Sequence, residues 1–208
     1  MSFTRRGLIL AAPTLFAIRP VWAATAPTPR AAEGPFYPVK IPTDHDNDLV
    51  RIDGLVREAG GEILQLRGVV ADTDAKPIAD AVVEIWQCDA NGVYRHPGDP
   101  RPSLRDRAFQ GFGRTVSDKE GRFSFRTIVP VPYPGRAPHI HAKIIAEGRA
   151  PLTTQFYRAD YRDNARDFLF NRMNSDERQR VSIDIRPLSG NDRAQWETDI
   201  VAILPDIG

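Results

Sequence analysis

His139 and His141 stand two positions apart, and with Tyr133 and Arg136 they fall inside one short stretch, Tyr133-Pro134-Gly135-Arg136-Ala137-Pro138-His139-Ile140-His141. If the apolar run from His139 to Ile145 is a strand, side chains at i and i+2 share a face and both imidazoles point to one side. Prolines at 130, 132, 134 and 138 stiffen the approach and keep it out of a helix. Two imidazoles delivered by a pre-shaped loop read as part of a metal site; the plain alternative is a proline-rich turn before a strand with two hydrogen-bonded surface histidines. Tyrosines can complete such a set, because phenolate is a hard, strongly donating anion that favours a Lewis acid of high charge over zinc or copper(I). Zinc would more naturally take cysteines or three histidines. A free phenol has a pKa of about 10, and ferric iron can displace its proton. Tyr94, just after the turn Asp89-Ala90-Asn91-Gly92, and Tyr133 would make an N2O2 site with the histidines. Periodicity by itself does not choose Tyr94 over Tyr37, Tyr157 or Tyr161.

The elements that must carry these residues are mostly strands. Residues 63–70 alternate apolar and polar, as a half-buried strand does, and Asp72 to Pro77 is turn chemistry. Residues 81–87 form a second strand, followed by the turn that delivers Tyr94. A long loop runs from Pro97 to about Phe112, a length that in a compact domain is usually functional or disordered. Residues 113–116 and 122–126 read as a hairpin about the turn 117–121. Residues 139–145 and 152–157 supply two more strands, residues 164–180 one or two short helices, residues 180–186 a cleanly alternating strand and residues 196–204 the last. Short strands between turns predict an all-β fold, a single antiparallel β-sandwich domain with long loops. No repeat, heptad pattern or second domain is visible.

At 208 residues and 41% hydrophobic content the chain is long enough for one full core. A net charge of +1 offers no basic footprint, so nucleic acid is a poor partner. The lone Cys88, beside Trp86 in an apolar run, excludes an internal disulfide and reads as core. The start of the chain reads as an address. Arg5-Arg6 precedes an apolar run ending near Ile18, too short to span a bilayer, with small residues near Ala23 and Ala26 for cleavage. This is similar to a twin-arginine export signal, an ordinary secretory signal being the competing reading. Residues 1–26 are therefore assigned to the signal and its cleavage region, residues 27–208 to the working domain, and the protein to the periplasm. No membrane span is expected after signal removal. Residues 24–32, rich in Ala, Thr and Pro, read as a flexible lead.

From about Glu33 to the last strand the chain resembles the intradiol ring-cleavage dioxygenases, non-haem ferric enzymes that split catechols. The resemblance is carried by Glu33-Gly34-Pro35-Phe36-Tyr37-Pro38, by residues 83–96 with Trp86-Gln87 and Gly92-Val93-Tyr94, and by Gly111-Phe112-Gly113-Arg114. It continues through residues 121–128, Pro132-Tyr133-Pro134, Arg136, His139-Ile140-His141 and Thr154-Gln155-Phe156-Tyr157. It implies an Fe(III) cofactor held by Tyr94, Tyr133, His139 and His141, with Arg136 beside the substrate and Gln155 near the ring and oxygen. It further implies that Tyr133 leaves the iron as substrate arrives and takes up the diol's second proton. Dioxygen would then cleave the ring between its hydroxyls, giving a muconic-type diacid.

Two departures leave the substrate open. Only residues 134–138 separate Tyr133 from His139, where protocatechuate enzymes carry a longer insertion with a tryptophan against the substrate. The helical N-terminal domain through which the catechol and hydroxyquinol branches dimerise has no counterpart, so a homo-oligomer is neither implied nor excluded. His96, two positions after Tyr94, reads as a loop histidine, with a place behind the ligands as the alternative, and His45 as a solvated one; Arg114 and Arg126 read as bracing the site or pairing with acids. A reading of another class is a non-catalytic exported β-sandwich binding or carrier module. The pattern of residues 69–83 is common in such modules, which have no need of the Tyr94, Tyr133, His139 and His141 set.

Overall fold

A computed structural model describes residues 26–190 and 193–206. The signal assigned to residues 1–26 lies outside them except for Ala26. In chain order the strands are β1 (Ile63–Asp72), β2 (Val82–Trp86), β3 (Phe112–Val116), β4 (Arg122–Ile128), β5 (His139–Ile145), β6 (Leu152–Arg158), β7 (Ser182–Ile183), β8 (Arg186–Pro187) and β9 (Trp196–Leu204). They form two sheets, β4-β1-β9-β8 and β3-β2-β5-β6-β7. The only α-helices among the described residues are the short α1 (Phe168–Arg172) and α2 (Ser175–Val181). The fold is the all-β sandwich with long loops that the alternation predicts. Two pairings depart from the antiparallel rule: β1 runs parallel to β9 and β6 parallel to β7.

The core lies between the sheets. Leu64, Leu66 and Val70 of β1, Phe125 of β4, Val83 and Ile85 of β2, Ile140, Ala142 and Ile144 of β5 and Phe156 of β6 are all buried there. At roughly 1.5–3 kcal/mol for each large apolar side chain, this layer dominates stability. Because β5 gives Ile140, Ala142 and Ile144 to the core, its other face carries His139 and His141 away from the core. On that outer face, cross-strand register sets Trp86 and Gln155 opposite His141, and Tyr157 opposite His139.

Three local readings need correction. Residues 113–116 and 122–126 are not hairpin partners: β3 pairs with β2, and β4 with β1 in the other sheet. The turn between them crosses the sandwich because Phe123 and Phe125 must face the core, where the Phe123 ring packs over Gly68; a Cβ on that glycine would come within 2.2 Å of it. Residues 180–186 are not one strand, since Arg180 and Val181 finish α2. A capping box between Asn174 and Glu177 starts that helix and outweighs the alternation. The lead is not loose over its described residues. Thr28 donates its N–H to the Ile203 carbonyl (3.0 Å), Ala31 donates to Thr153 (2.8 Å), and the Thr154 hydroxyl donates to the Pro29 carbonyl (2.7 Å). Residues 28–32 thus strap β9 of one sheet to β6 of the other. Among the described residues no helix is long and apolar enough to cross a membrane.

Candidate metal centre

The strap leads directly over the outer face of the second sheet. Phe36 stacks on Tyr94 with ring centres 4.4 Å apart and meets Tyr133 edge-on at 6.2 Å. Tyr37 packs edge-on against Trp86 and donates its hydroxyl to Glu84 (2.8 Å), a fully buried acid that also accepts from Arg114. The Glu33 carboxylate accepts from Lys143 (2.8 Å). Under this cover β5 is buried on both faces through Ala142, which removes both histidines from water.

Tyr94 is positioned by its turn. The Asp89 carboxylate accepts from the amides of Asn91, Val93 and Asp106, and the buried Asp99 accepts from the Tyr94 amide (3.0 Å) and from Arg101. Gly92 closes the turn at φ +72°, and a Cβ there would meet the Pro132 carbonyl at 3.0 Å and Tyr133 at 3.5 Å. The absence of a side chain lets the Tyr94 turn lie directly on the Tyr133 segment.

The structure brings all six predicted site residues into one cluster. Ring centres are 5.3 Å apart for Tyr94 and Tyr133, 5.5 Å for Tyr133 and His139, 6.1 Å for Tyr94 and His141, and 4.7 Å for the two histidines. The Nε2 atoms of His139 and His141 face each other at 3.1 Å. The His139 Nδ1 lies 2.7 Å from the Ala137 carbonyl, which can only accept, so Nδ1 carries the proton and Nε2 offers its lone pair to the site. His141 stacks on Trp86 with ring centres 4.7 Å apart, and its Nδ1 has no partner. Arg136 donates to the Tyr133 hydroxyl (3.1 Å), the Gln155 Oε1 (2.5 Å), the Tyr157 hydroxyl (3.1 Å) and the Asp167 carboxylate (2.8 Å). Its guanidinium also sits 5.6 Å from the centre of the exposed Phe168 ring.

Electrostatics follow from burial. Desolvation, with Arg136 nearby, pushes the His139 imidazole down to about 3. Desolvation, His139 and Arg136 together hold His141 well below its ordinary value. Both rings are neutral at pH 7. Burial holds the Tyr94 phenol well above its usual range, and the half-buried Tyr133 above it as well.

This donor set fits a hard, highly charged cation. The fully buried Tyr94 hydroxyl lies near that of Tyr133 but has no aligned hydrogen-bond partner. A buried hydroxyl left without a partner is costly, and ligation would satisfy it. The His141 Nδ1, buried without a partner while the two Nε2 atoms can share a hydrogen bond, is a second such deficit. Among the described residues no group of three or more His, Cys, Asp or Glu side chains gathers as a metal set, and the side chains that stand beside the two histidines are the phenols of Tyr94 and Tyr133. The other tyrosines are accounted for: Tyr37 is bonded to Glu84, Tyr157 to Gln155, and Tyr161 packs against the apolar group of Ala137, Tyr157, Phe170 and Val181.

His96 accepts from the Gly98 amide and His45 contacts the Thr43 carbonyl, both local loop contacts. Cys88 is buried, and Arg126 pairs with Asp48 and Glu58 as a brace. Sequence reasoning missed Asp167 and the Tyr157 hydroxyl as partners of Arg136. Nothing in local spacing links residues 31 and 21 positions apart from it. For Tyr157 a signal was present: it lies two positions from Gln155 on one strand, and so on the same face.

A family model described as Dioxygenase matches residues 32–169. Catechol 1,2-dioxygenase 1 of Acinetobacter lwoffii is 34% identical over 147 residues, 62% of this chain and 45% of that protein. The protocatechuate 3,4-dioxygenase beta chain of Burkholderia cepacia is 37% identical over 120 residues, 54% of this chain and 51% of that one. The chain thus spans about half the length of the curated relatives it matches. Among solved structures, the dioxygenase domain of a dioxygenase carbohydrate-binding protein fusion from Streptomyces sp. SirexAA-E superposes with a TM-score of 0.68 at 29% identity, covering 88% of this chain and 100% of that one. With the matched residues running from the strap through β6 to Leu169, this chain belongs to the intradiol ring-cleavage dioxygenase family.

Proposed function

We propose that the chain is a non-haem Fe(III)-dependent intradiol dioxygenase. It opens the ring of a catechol-type substrate between the two hydroxyls, placing both atoms of O2 in a muconic-type diacid. The observation that carries this reading is the facing pair of His139 and His141 nitrogens beside the buried, unsatisfied Tyr94 hydroxyl. Tyr94, Tyr133, His139 and His141 would hold the iron. When bound, ferric iron supplies the charge that ionises phenols and an adjacent diol and that activates the aromatic ring toward O2.

The chain's own residues do the rest. Tyr133 is half-buried where Tyr94 is fully buried, so Tyr133 Oη is the phenol oxygen that can move and accept a substrate hydroxyl proton. Arg136 donates to that oxygen and holds its guanidinium where negative charge gathers on the ring, a preorganised stabilisation. Gln155 accepts from both Arg136 and Tyr157, which fixes the plane of the guanidinium. The Ala137 carbonyl sets the His139 tautomer, the usual work of an outer hydrogen bond in a metal site. Phe36, Tyr37 and Trp86 pack over Tyr94 and His141 and keep water from that side.

The substrate is read as a small aromatic diol. The protein is read as exported to the periplasm on the strength of Arg5-Arg6 and the apolar run, with residues 27–208 as its catalytic domain. The test is oxygen uptake and product analysis with the iron-loaded chain on catechol, protocatechuate and hydroxyquinol. One O2 consumed per diacid formed is expected for at least one of them, with Arg136→Ala retaining iron and losing turnover. An iron-loaded chain that consumes no O2 with any of the three, or an active Arg136→Ala, contradicts the reading. Periplasmic location is checked by fractionation, and Arg5→Lys with Arg6→Lys is expected to retain the protein in the cytoplasm.

A further inference from the structure

The Asp167 side chain is fully buried, 0% exposed, and its two oxygens serve different structures. Oδ1 accepts from the amides of Leu169 and Phe170, both at 3.0 Å, and so caps α1. Oδ2 accepts from Arg136 Nε (2.8 Å) and from the Ala137 amide (2.9 Å). Capping a helix needs one acceptor, and serine or asparagine provides it without a charge. The second oxygen and the negative charge therefore exceed what a five-residue helix requires. They meet Arg136, which touches Tyr133, Gln155 and Tyr157. They also meet the amide of Ala137, the residue whose own carbonyl accepts from His139 Nδ1.

We propose that Asp167 is a positioning residue: through Oδ2 it fixes the guanidinium of Arg136 and, by anchoring the backbone of Ala137, the tautomer and ring angle of His139. It touches no reacting atom. Of the groups that Arg136 donates to, Asp167 is the acid, and its Nε contact leaves both Nη groups to face the site. One carboxylate thereby ties the position of α1 to two members of the cluster. The inference rests on the ring-cleavage reading only for its effect on turnover; the effect on Arg136 and His139 stands on the geometry.

The test uses Asp167→Ser and Asp167→Asn in the full chain. Serine keeps a cap acceptor but is too short to reach Arg136. Asparagine keeps the shape, but with one oxygen it cannot serve the helix and the arginine together. In the metal-free chain, 15N spectra are expected to show the Arg136 Nε–H exchanging with water about tenfold faster or more, and His139 losing its single-tautomer pattern, while the strand amides are unmoved. In the iron-loaded chain kcat is expected to fall roughly 10- to 100-fold with KM changed less than about threefold. Wild-type exchange at Arg136 together with an unchanged His139 tautomer in either folded variant reduces Asp167 to a helix cap and overturns the proposal. If Asp167→Ser does not fold, Asp167→Asn decides. Altered spectra in a chain whose wild type turns over no diol uphold the positioning role and strike the ring-cleavage reading alone.

Discussion

His139 and His141 present their Nε2 atoms to each other at 3.1 Å, both rings buried and neutral, while Tyr94 offers a buried hydroxyl with no aligned partner beside them. Such an arrangement is a local cost in the metal-free chain and a ready donor set for a cation. Tyr94→Phe removes the unsatisfied hydroxyl. The metal-free variant is therefore expected to melt at or slightly above the wild type, by up to about 1 kcal/mol, while its iron content falls to background. His141→Ala is expected to lose iron and also stability, because it opens a cavity against Trp86. Thermal melts and iron analysis on both variants check this; Tyr94→Phe with full iron contradicts it.

Gly92 is the point where the two tyrosine segments touch. Gly92→Ala adds a Cβ 3.0 Å from the Pro132 carbonyl in a left-handed backbone conformation. Strain of order 1–3 kcal/mol is expected, with weaker iron retention because Tyr94 and Tyr133 are pushed apart. Denaturant titration and competition with a chelator measure the two effects. A variant as stable as the wild type contradicts the close approach.

One of the ties of the strap is a side-chain contact that an isostere can silence. The Ile203 amide donates to the Thr28 hydroxyl at 2.8 Å in a buried setting. Thr28→Val keeps the volume and leaves that N–H without a partner, at a cost of about 1–3 kcal/mol. A fall of several degrees in the melting temperature of the metal-free chain is expected. No change means that the Ile203 amide does not depend on the Thr28 hydroxyl in solution.

Acid sensitivity follows from depressed carboxyls outside the cluster. Burial alone would raise Asp106, but the amides of Gly60 and Ala108 and the guanidinium of Arg57 outweigh it and hold the carboxyl below its usual range. At Asp72 the amides of Lys76 and Asp74 and the Arg149 side chain do the same against burial. A carboxyl with a depressed folded pKa contributes stability that is present above its unfolded value, about 3.9, and is lost as pH falls through the folded value. Stability from these groups is therefore expected to be level from neutral pH to about 5 and to drop below about 4. Asp106→Asn should be destabilised at pH 7 and differ less from the wild type at pH 3. Urea titrations at both pH values measure this, and an equal difference at both contradicts it.

The sandwich and much of the cluster were legible because the signals are local. The i, i+2 histidines on an apolar run, the turn before Tyr94 and the alternation of β1 need no knowledge of distant chain. What escaped was set by tertiary contact. Turn chemistry at residues 117–121 cannot say whether the chain folds back or crosses to the other sheet; the inward demand of Phe123 and Phe125 decides. Ala- and Pro-rich residues 26–32 carry no strand signal, yet Thr28 and Ala31 find backbone partners on β9 and β6. Arg180 and Val181 alternate with the residues that follow, and a capping box several residues earlier claims them for a helix. In the sequence Asp167 is one acid in a charged stretch, and only its burial against Arg136 marks it.

The most direct measurement is the visible spectrum of the purified chain after iron loading, with iron analysis, before and after anaerobic addition of catechol. One iron per chain, a red-brown colour from ferric-tyrosinate charge transfer and a further shift on catechol chelation are expected, with the colour lost in Tyr94→Phe. A chain that takes up no iron and stays colourless contradicts the metal centre and returns Tyr94 and Tyr133 to the core as ordinary buried aromatics.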